Sequence, residues 1–189
     1  MDKLQVENFG PIKKVDVTFG DLTILIGPQA SGKSLFLELL KLIEDKNSVI
    51  ETLRRYNYIL PKTDANPILD NYFGEGLHSL FNDDTKIECE NVGFSPEDLL
   101  KYPKNKQNIK ETVFYVPAQR ILAISDGRPK NFMEFEGSVP FVLKNFSETL
   151  RIFVQGGLGN PDVIFPMRAR LKDAVKESFN QSLFHGAKV

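Results

Sequence analysis

The sequence predicts an α/β fold in which a short apolar strand, a glycine-bounded loop and a helix follow one another directly, with an antiparallel flap in front and a helical insertion behind. Three observations predict it. Leu22-Thr23-Ile24-Leu25-Ile26 is an apolar, partly β-branched run, as expected of a buried parallel strand. Gly27-Pro28-Gln29-Ala30-Ser31-Gly32-Lys33-Ser34 matches the pattern G-x-x-x-x-G-K-[ST] at every fixed position. Leu35 to Ile43 is mostly apolar and reads as a largely buried helix.

The elements follow in order along the chain. Lys3 to Phe9 alternates apolar and polar residues up to Gly10-Pro11, and Ile12 to Phe19 resumes, which predicts two antiparallel strands joined by a turn. The helix after the loop is expected to fray near Asp45 to Asn47, and a second helix runs from Val49 to Tyr58 before Pro61. Ile68 to Phe73 and Leu77 to Phe81 read as short helices. Thr85 to Val92 alternates and predicts an edge strand. Ser95-Pro96-Glu97-Asp98 combines a serine cap, a proline at the first helical position and carboxylates, a helix start that Pro103 limits. Thr112 to Val116 is expected to be a central strand, Ser125 to Gly137 a loop, Pro140 to Val154 a helix and Met167 to Phe184 an amphipathic helix. At 189 residues this is a single lobe: 1–47 with the flap, loop and first helix, 48–111 as insertion, and 112–189 with the central strand and later helices.

Each position of the loop has a chemical reason. Gly27 and Gly32 permit positive φ and close backbone approach, so several N–H groups can converge on one anion. Lys33 supplies a compact positive charge for β- and γ-phosphates, and the Ser34 hydroxyl suits a magnesium ion travelling with a nucleotide. The helix N-terminus adds partial positive charge. The expected ligand is therefore a nucleotide triphosphate with Mg²⁺.

Bulk composition excludes several classes. With 24 basic and 25 acidic side chains the net charge is −1, which gives no global attraction to nucleic acid or membrane. The single Cys89 cannot form an internal disulfide, and no apolar run reaches the ~20 residues of a membrane span. A cytoplasmic setting is expected. His78 and His185 have no metal-ligand spacing and read as structural. Lys101, Lys104, Lys106 and Lys110 make a basic stretch that fits a solvated loop better than a nucleic-acid contact.

The segment Asn8-Phe9-Gly10-Pro11-Ile12 followed by Leu22 to Ser34 resembles the amino-terminal lobe of ABC-type ATPases, and within them the SMC, RecF and OLD-like branch. Residues 3–43 carry this resemblance. Phe114-Tyr115-Val116-Pro117-Ala118-Gln119-Arg120 resembles the segment in which those ATPases place their Q-loop glutamine. The resemblance implies ATP and Mg²⁺ as ligands. Gly27 to Ser34 together with Leu35 would wrap the phosphates, and Asn8 would contact base or ribose. Ser34 and Gln119 would ligate the metal, with Lys33 and Gln119 assisting hydrolysis. It also implies a head-to-head homodimer or a partner ATPase or effector chain, with DNA-linked work by analogy alone.

The chain departs from that pattern where hydrolysis is decided. No apolar strand ends in an Asp-Glu pair; Ile121 to Asp126 comes nearest, with Asp126 in the metal-binding role. Gly156-Gly157 lacks the Leu-Ser of the signature loop. The sequence therefore reads as incomplete at its carboxyl end, able to bind nucleotide and to hydrolyse it only when completed. The alternatives are a small-molecule kinase of the same loop class, with Arg120, Arg128, Arg168 and Arg170 as lid candidates, and a non-catalytic interaction domain stabilised by nucleotide.

Overall fold

β1 (Lys3–Phe9) and β2 (Ile12–Thr18) form the expected antiparallel hairpin, with Phe9 opposite Ile12 so that Gly10 and Pro11 alone make the turn. The computed structural model describes residues 1–101, 111–125 and 128–155. Leu4 and Val6 face the core with no exposure. Asn8 then takes φ 52°, which breaks the alternation and turns Phe9 rather than Asn8 inward. Glycine suits position 10: φ is +50°, and a Cβ there would stand 2.7 Å from Leu80 Cδ2, so that the Leu80 side chain would have to shift.

The sheet is completed from the insertion. β3 (Lys86–Cys89) pairs antiparallel with β1, and β4 (Val92–Gly93) pairs with β3, giving the order β2-β1-β3-β4. The continuous edge strand expected over Thr85–Val92 is thus a hairpin, and its first strand is internal. The fold-back sits at Glu90 and Asn91, with φ 51° and 66°, both left-handed as a two-residue hairpin turn of this hand demands.

α1 (Lys33–Glu44) lies against this sheet through Phe36, Leu39 and Leu42, which share a buried cluster with Leu4, Val6 and Phe9. Asp45 interrupts the helix, and α2 (Lys46–Arg55) starts at once, three residues earlier than the periodicity suggests. α3 (Asn66–Phe73), with Pro67 in its first turn, adds Ile68, Leu69, Tyr72 and Phe73 to the same core. Pro96–Leu99 is a 3-10 turn closed by a reciprocal cap between Ser95 and Asp98. The stretch expected to be loop from Ser125 instead holds β5 (Ile124–Ser125), β6 (Arg128–Pro129) and a 3-10 turn at Phe132–Glu134. α4 (Phe141–Gln155) closes the core, and Phe132 stacks on Tyr56 at 4.2 Å between ring centres.

Two expectations are corrected. Leu22–Ile26 and Thr112–Val116 are not strands. Leu22, Ile24 and Ile26 are 80%, 70% and 91% exposed, and only Leu25 packs on the core. A parallel strand exists only through its ladder partners, and neither segment is paired in the sheets formed by the described residues. The parallel core expected of the α/β class is accordingly not present among the described residues, which form a mixed fold of helices on an antiparallel sheet. Asp126, the Gly156-Gly157 pair and the helix expected over Met167–Phe184 lie outside them.

The left-handed turn gives a direct check. Asn91→Val is expected to lower stability by about 1–2 kcal/mol, since a β-branched residue resists positive φ, while Asn91→Gly leaves urea denaturation nearly unchanged.

Candidate functional site: the loop between Ile26 and the first helix

Residues 27–32 lead directly into α1, whose first helical hydrogen bond runs from Phe36 N–H to the Gly32 carbonyl at 2.8 Å. Gly32 caps the helix at φ +91°, and no side chain caps it. The amides of the first turn have no partner within the helix, so they and the helix dipole suit an anion. A Cβ on Gly32 would fall 2.6 Å from Ile12 Cγ1, so the loop is pressed against the β1–β2 turn. Gly27 does not take a positive φ. That role passes to Ala30 at φ 60°, and at Gly27 a Cβ would stand 3.2 Å from Ser31 Oγ, a tight contact.

Lys33 folds back over the loop. Its Nζ donates to the carbonyls of Gly27, at 2.8 Å, and Pro28, and to Ser31 Oγ at 3.2 Å. The ammonium thereby stands at the centre of the loop, and Pro28, Gln29 and Ala30 form its exposed rim. Ser34 is exposed at the helix start, while Leu35 turns inward and packs against the core. A groove of about 610 Å³ adjoins Lys33, walled by Ile12, Lys13 and Val15 on β2 and by Ile24 and Ile26 opposite. The Asn8 side chain is engaged elsewhere, donating to the Asp84 carbonyl at 3.2 Å.

Gln119 is exposed in a turn that follows Pro117. Further along, Ser147 Oγ on α4 lies within hydrogen-bond reach of the carbonyls of Ala123, at 2.9 Å, and Lys130, at 2.7 Å, and its single O–H is shared between them.

The upstream anchor is a cluster that the apolar reading of α1 overlooks. Asp45, fully buried, accepts from Thr112 N at 2.7 Å, Thr112 Oγ1 at 2.6 Å and Val113 N at 2.9 Å. Lys41, also buried, donates to Asp45 Oδ2 at 3.1 Å, to Glu111 and to the Val113 carbonyl at 2.6 Å. Asn145 Nδ2 donates to Glu111 Oε1 at 3.1 Å from α4. One helical turn nearer the loop, Glu38 Oε1 accepts from Tyr115 OH at 3.4 Å, and Tyr72 OH donates to the Glu38 carbonyl at 2.7 Å. Burial pushes the Glu38 carboxyl up to about 7, the Tyr115 hydrogen bond only partly opposing it. The signal in the sequence is the spacing i, i+4, i+7, i+11 of Ser34, Glu38, Lys41 and Asp45, a polar stripe along one helix face.

A loop of this kind at a helix start belongs to nucleotide-binding domains. The family model described as "AAA ATPase domain" matches residues 1–153, and the chain belongs to that family of nucleotide-binding ATPase modules. No curated protein and no solved structure matches the chain. No helix among the described residues is long and apolar enough to cross a membrane.

Two predictions follow the buried cluster. Asp45→Ala leaves Lys41 buried with one carboxylate fewer and three donors of Thr112 and Val113 unmet, so a loss of about 3–5 kcal/mol is expected in denaturant unfolding. Glu38 governs a pH dependence. Between 4.5 and about 7 the folded chain retains a proton that the unfolded chain has released, so its contribution to stability falls as pH rises through that window. Glu38→Gln, which cannot ionise, is expected to gain on the natural chain steadily from pH 4.5 to pH 7 in urea midpoints.

Proposed function

We propose that the chain is the Mg·ATP-binding lobe of an ATPase of the ABC type, related to the SMC, RecF and OLD-like branch. The observation that carries this reading is the loop: an uncapped helix start, left-handed Ala30 and Gly32, and the Lys33 ammonium gathered at one point. Phosphate oxygens have the same demand for donors that the Gly27 and Pro28 carbonyls leave at Lys33, and re-aiming Nζ from those carbonyls to the β- and γ-phosphates replaces neutral acceptors with charged ones. Residues 27–35 would hold the triphosphate. The apolar groove beside Lys33 offers room for the nucleoside, with Lys13 at its edge. Asn8 would reach base or ribose only after leaving Asp84.

The exposed Ser34 hydroxyl and the Gln119 amide are oxygen donors of the kind Mg²⁺ accepts, so the residues present fit that ion. Magnesium would supply charge neutralisation between the phosphates. This chain's own residues would orient the γ-phosphate through Lys33 and hold a water through Gln119 for in-line attack. The sequence shows no apolar strand ending in an Asp-Glu pair, so hydrolysis is assigned to an enzyme completed by Walker B and signature elements or by a partner ATPase head. The bare faces of Leu22, Ile24 and Ile26 support such completion. The work of the motor, DNA-linked by analogy, rests on the branch alone.

Calorimetric titration with Mg·ATP tests the reading. Saturable binding is expected, weakened at least about tenfold by Lys33→Ala, since a charge-assisted contact contributes about 1.5–3 kcal/mol. Absence of saturable heat at millimolar ligand contradicts it.

A further inference from the structure

We propose that the polar stripe of α1 is a ruler that sets Gln119 beside Ser34, with Asp45, Lys41 and Glu38 as positioning residues. This rests on the reading of residues 27–35 as the nucleotide site and adds a claim about how that site is assembled.

The helix and the segment beside it have matched lengths. Asp45 grips Thr112 and Val113, Lys41 reaches the Val113 carbonyl, and Glu38 meets Tyr115. The segment therefore runs antiparallel to the helix. From Asp45 to Glu38 is seven helical residues, about 10 Å along the axis at ~1.5 Å each. From Thr112 to Tyr115 is three residues, also about 10 Å when extended at ~3.3 Å each. The two advance in step. Ser34 lies four residues beyond Glu38, about 6 Å on. Two further residues of extended chain cover that distance and arrive at Pro117, where the turn bearing Ala118 and Gln119 begins.

The attachment is made in side-chain currency where a sheet would use a ladder. The Asp45 carboxylate takes two successive backbone N–H groups, and the Lys41 ammonium takes the carbonyl between the next pair. A slip of this segment by one residue would leave Asp45 and Lys41 unmatched in a buried site, which is costly. The register is thereby locked, and the reach to Ser34 with it. Downstream, a 3-10 turn (Arg120–Ala123) follows Gln119 at once, and Ser147 Oγ on α4 stands 2.9 Å from the carbonyl of its last residue, Ala123. Gln119 is thereby bracketed by anchors at Tyr115 and Ala123 while its side chain stays exposed.

The readout is the gain in ATP affinity that Mg²⁺ confers, measured on the full chain as the ratio of dissociation constants in EDTA and in Mg²⁺. A merely structural role would change melting temperature without changing this ratio. Four chains are compared: natural, Gln119→Ala, the paired hydroxyl deletion Thr112→Val with Tyr115→Phe, and that pair combined with Gln119→Ala. Asp45→Asn is added if its melting transition remains cooperative. Gln119→Ala is expected to cut the Mg²⁺ gain about tenfold, as for loss of a contact to a charged group. The hydroxyl deletions are expected to cut it severalfold at unchanged affinity in EDTA, and to add nothing once Gln119 is gone.

The failures are distinguishable. No binding in either medium by the natural chain overturns the nucleotide site itself. Normal binding with a Mg²⁺ gain indifferent to Gln119→Ala overturns the ruler's purpose. A gain that falls with Gln119→Ala but not with the clamp variants, or falls additively in the combined chain, overturns the ruler while leaving the site intact.

Discussion

The buried pair Lys41–Asp45 is the constraint on which the rest of the structure depends. An ion pair withdrawn from water is tolerated only when every remaining donor and acceptor is met. Here the partners come from outside the helix: Thr112 and Val113 backbone groups, the Thr112 hydroxyl and Glu111. The pair therefore specifies more than it stabilises. It ends α1, begins α2, and dictates which residues of a segment some seventy positions later may lie alongside.

The loop stands at the other end of the same helix. Gly32 is pinned by Ile12, so the flap fixes the start of α1, and Asp45 fixes its close. The helix is a rigid spacer between the loop proposed to bind phosphate and a clamp. Its apolar face, Phe36, Leu39 and Leu42, binds it to the sheet, and its polar face is left to carry information about position. Lys33 adds a second economy. By satisfying the loop's own carbonyls it keeps the ammonium gathered at the centre of the loop, where the proposed function would have it exchange those acceptors for phosphate oxygens.

What could be read from sequence was what local chemistry decides. The β1–β2 hairpin, α1, α3, the Ser95 cap and α4 each carry their own turn residues, caps or periodicity, and each formed close to where it was expected, whereas the loop leads into α1 without the strand expected before it and without a positive φ at Gly27. Leu22–Ile26 and Thr112–Val116 carry strand composition, yet composition cannot supply the neighbour that makes a strand. The β3–β4 hairpin was hidden because Glu90-Asn91 is a weaker signal than Asn-Gly for a left-handed turn. The clamp was hidden differently. Glu38, Lys41 and Asp45 stood in plain view at helical spacing, but with Leu35, Phe36 and Leu39 among them the helix read as apolar, and nothing in a single sequence links them to Thr112. The roles of Lys33, Ser34, Gln119 and Asn8 all depend on ligands and are proposals.

The central claim is that main-chain amides at the start of α1 receive the phosphates. Amide chemical-shift mapping during titration with ATP, first in EDTA and then with Mg²⁺, addresses it residue by residue. The account predicts the largest changes at residues 31–35 in both media, with Gln119 joining only when Mg²⁺ is present. Changes confined to other parts of the chain, with residues 31–35 unmoved, would contradict it.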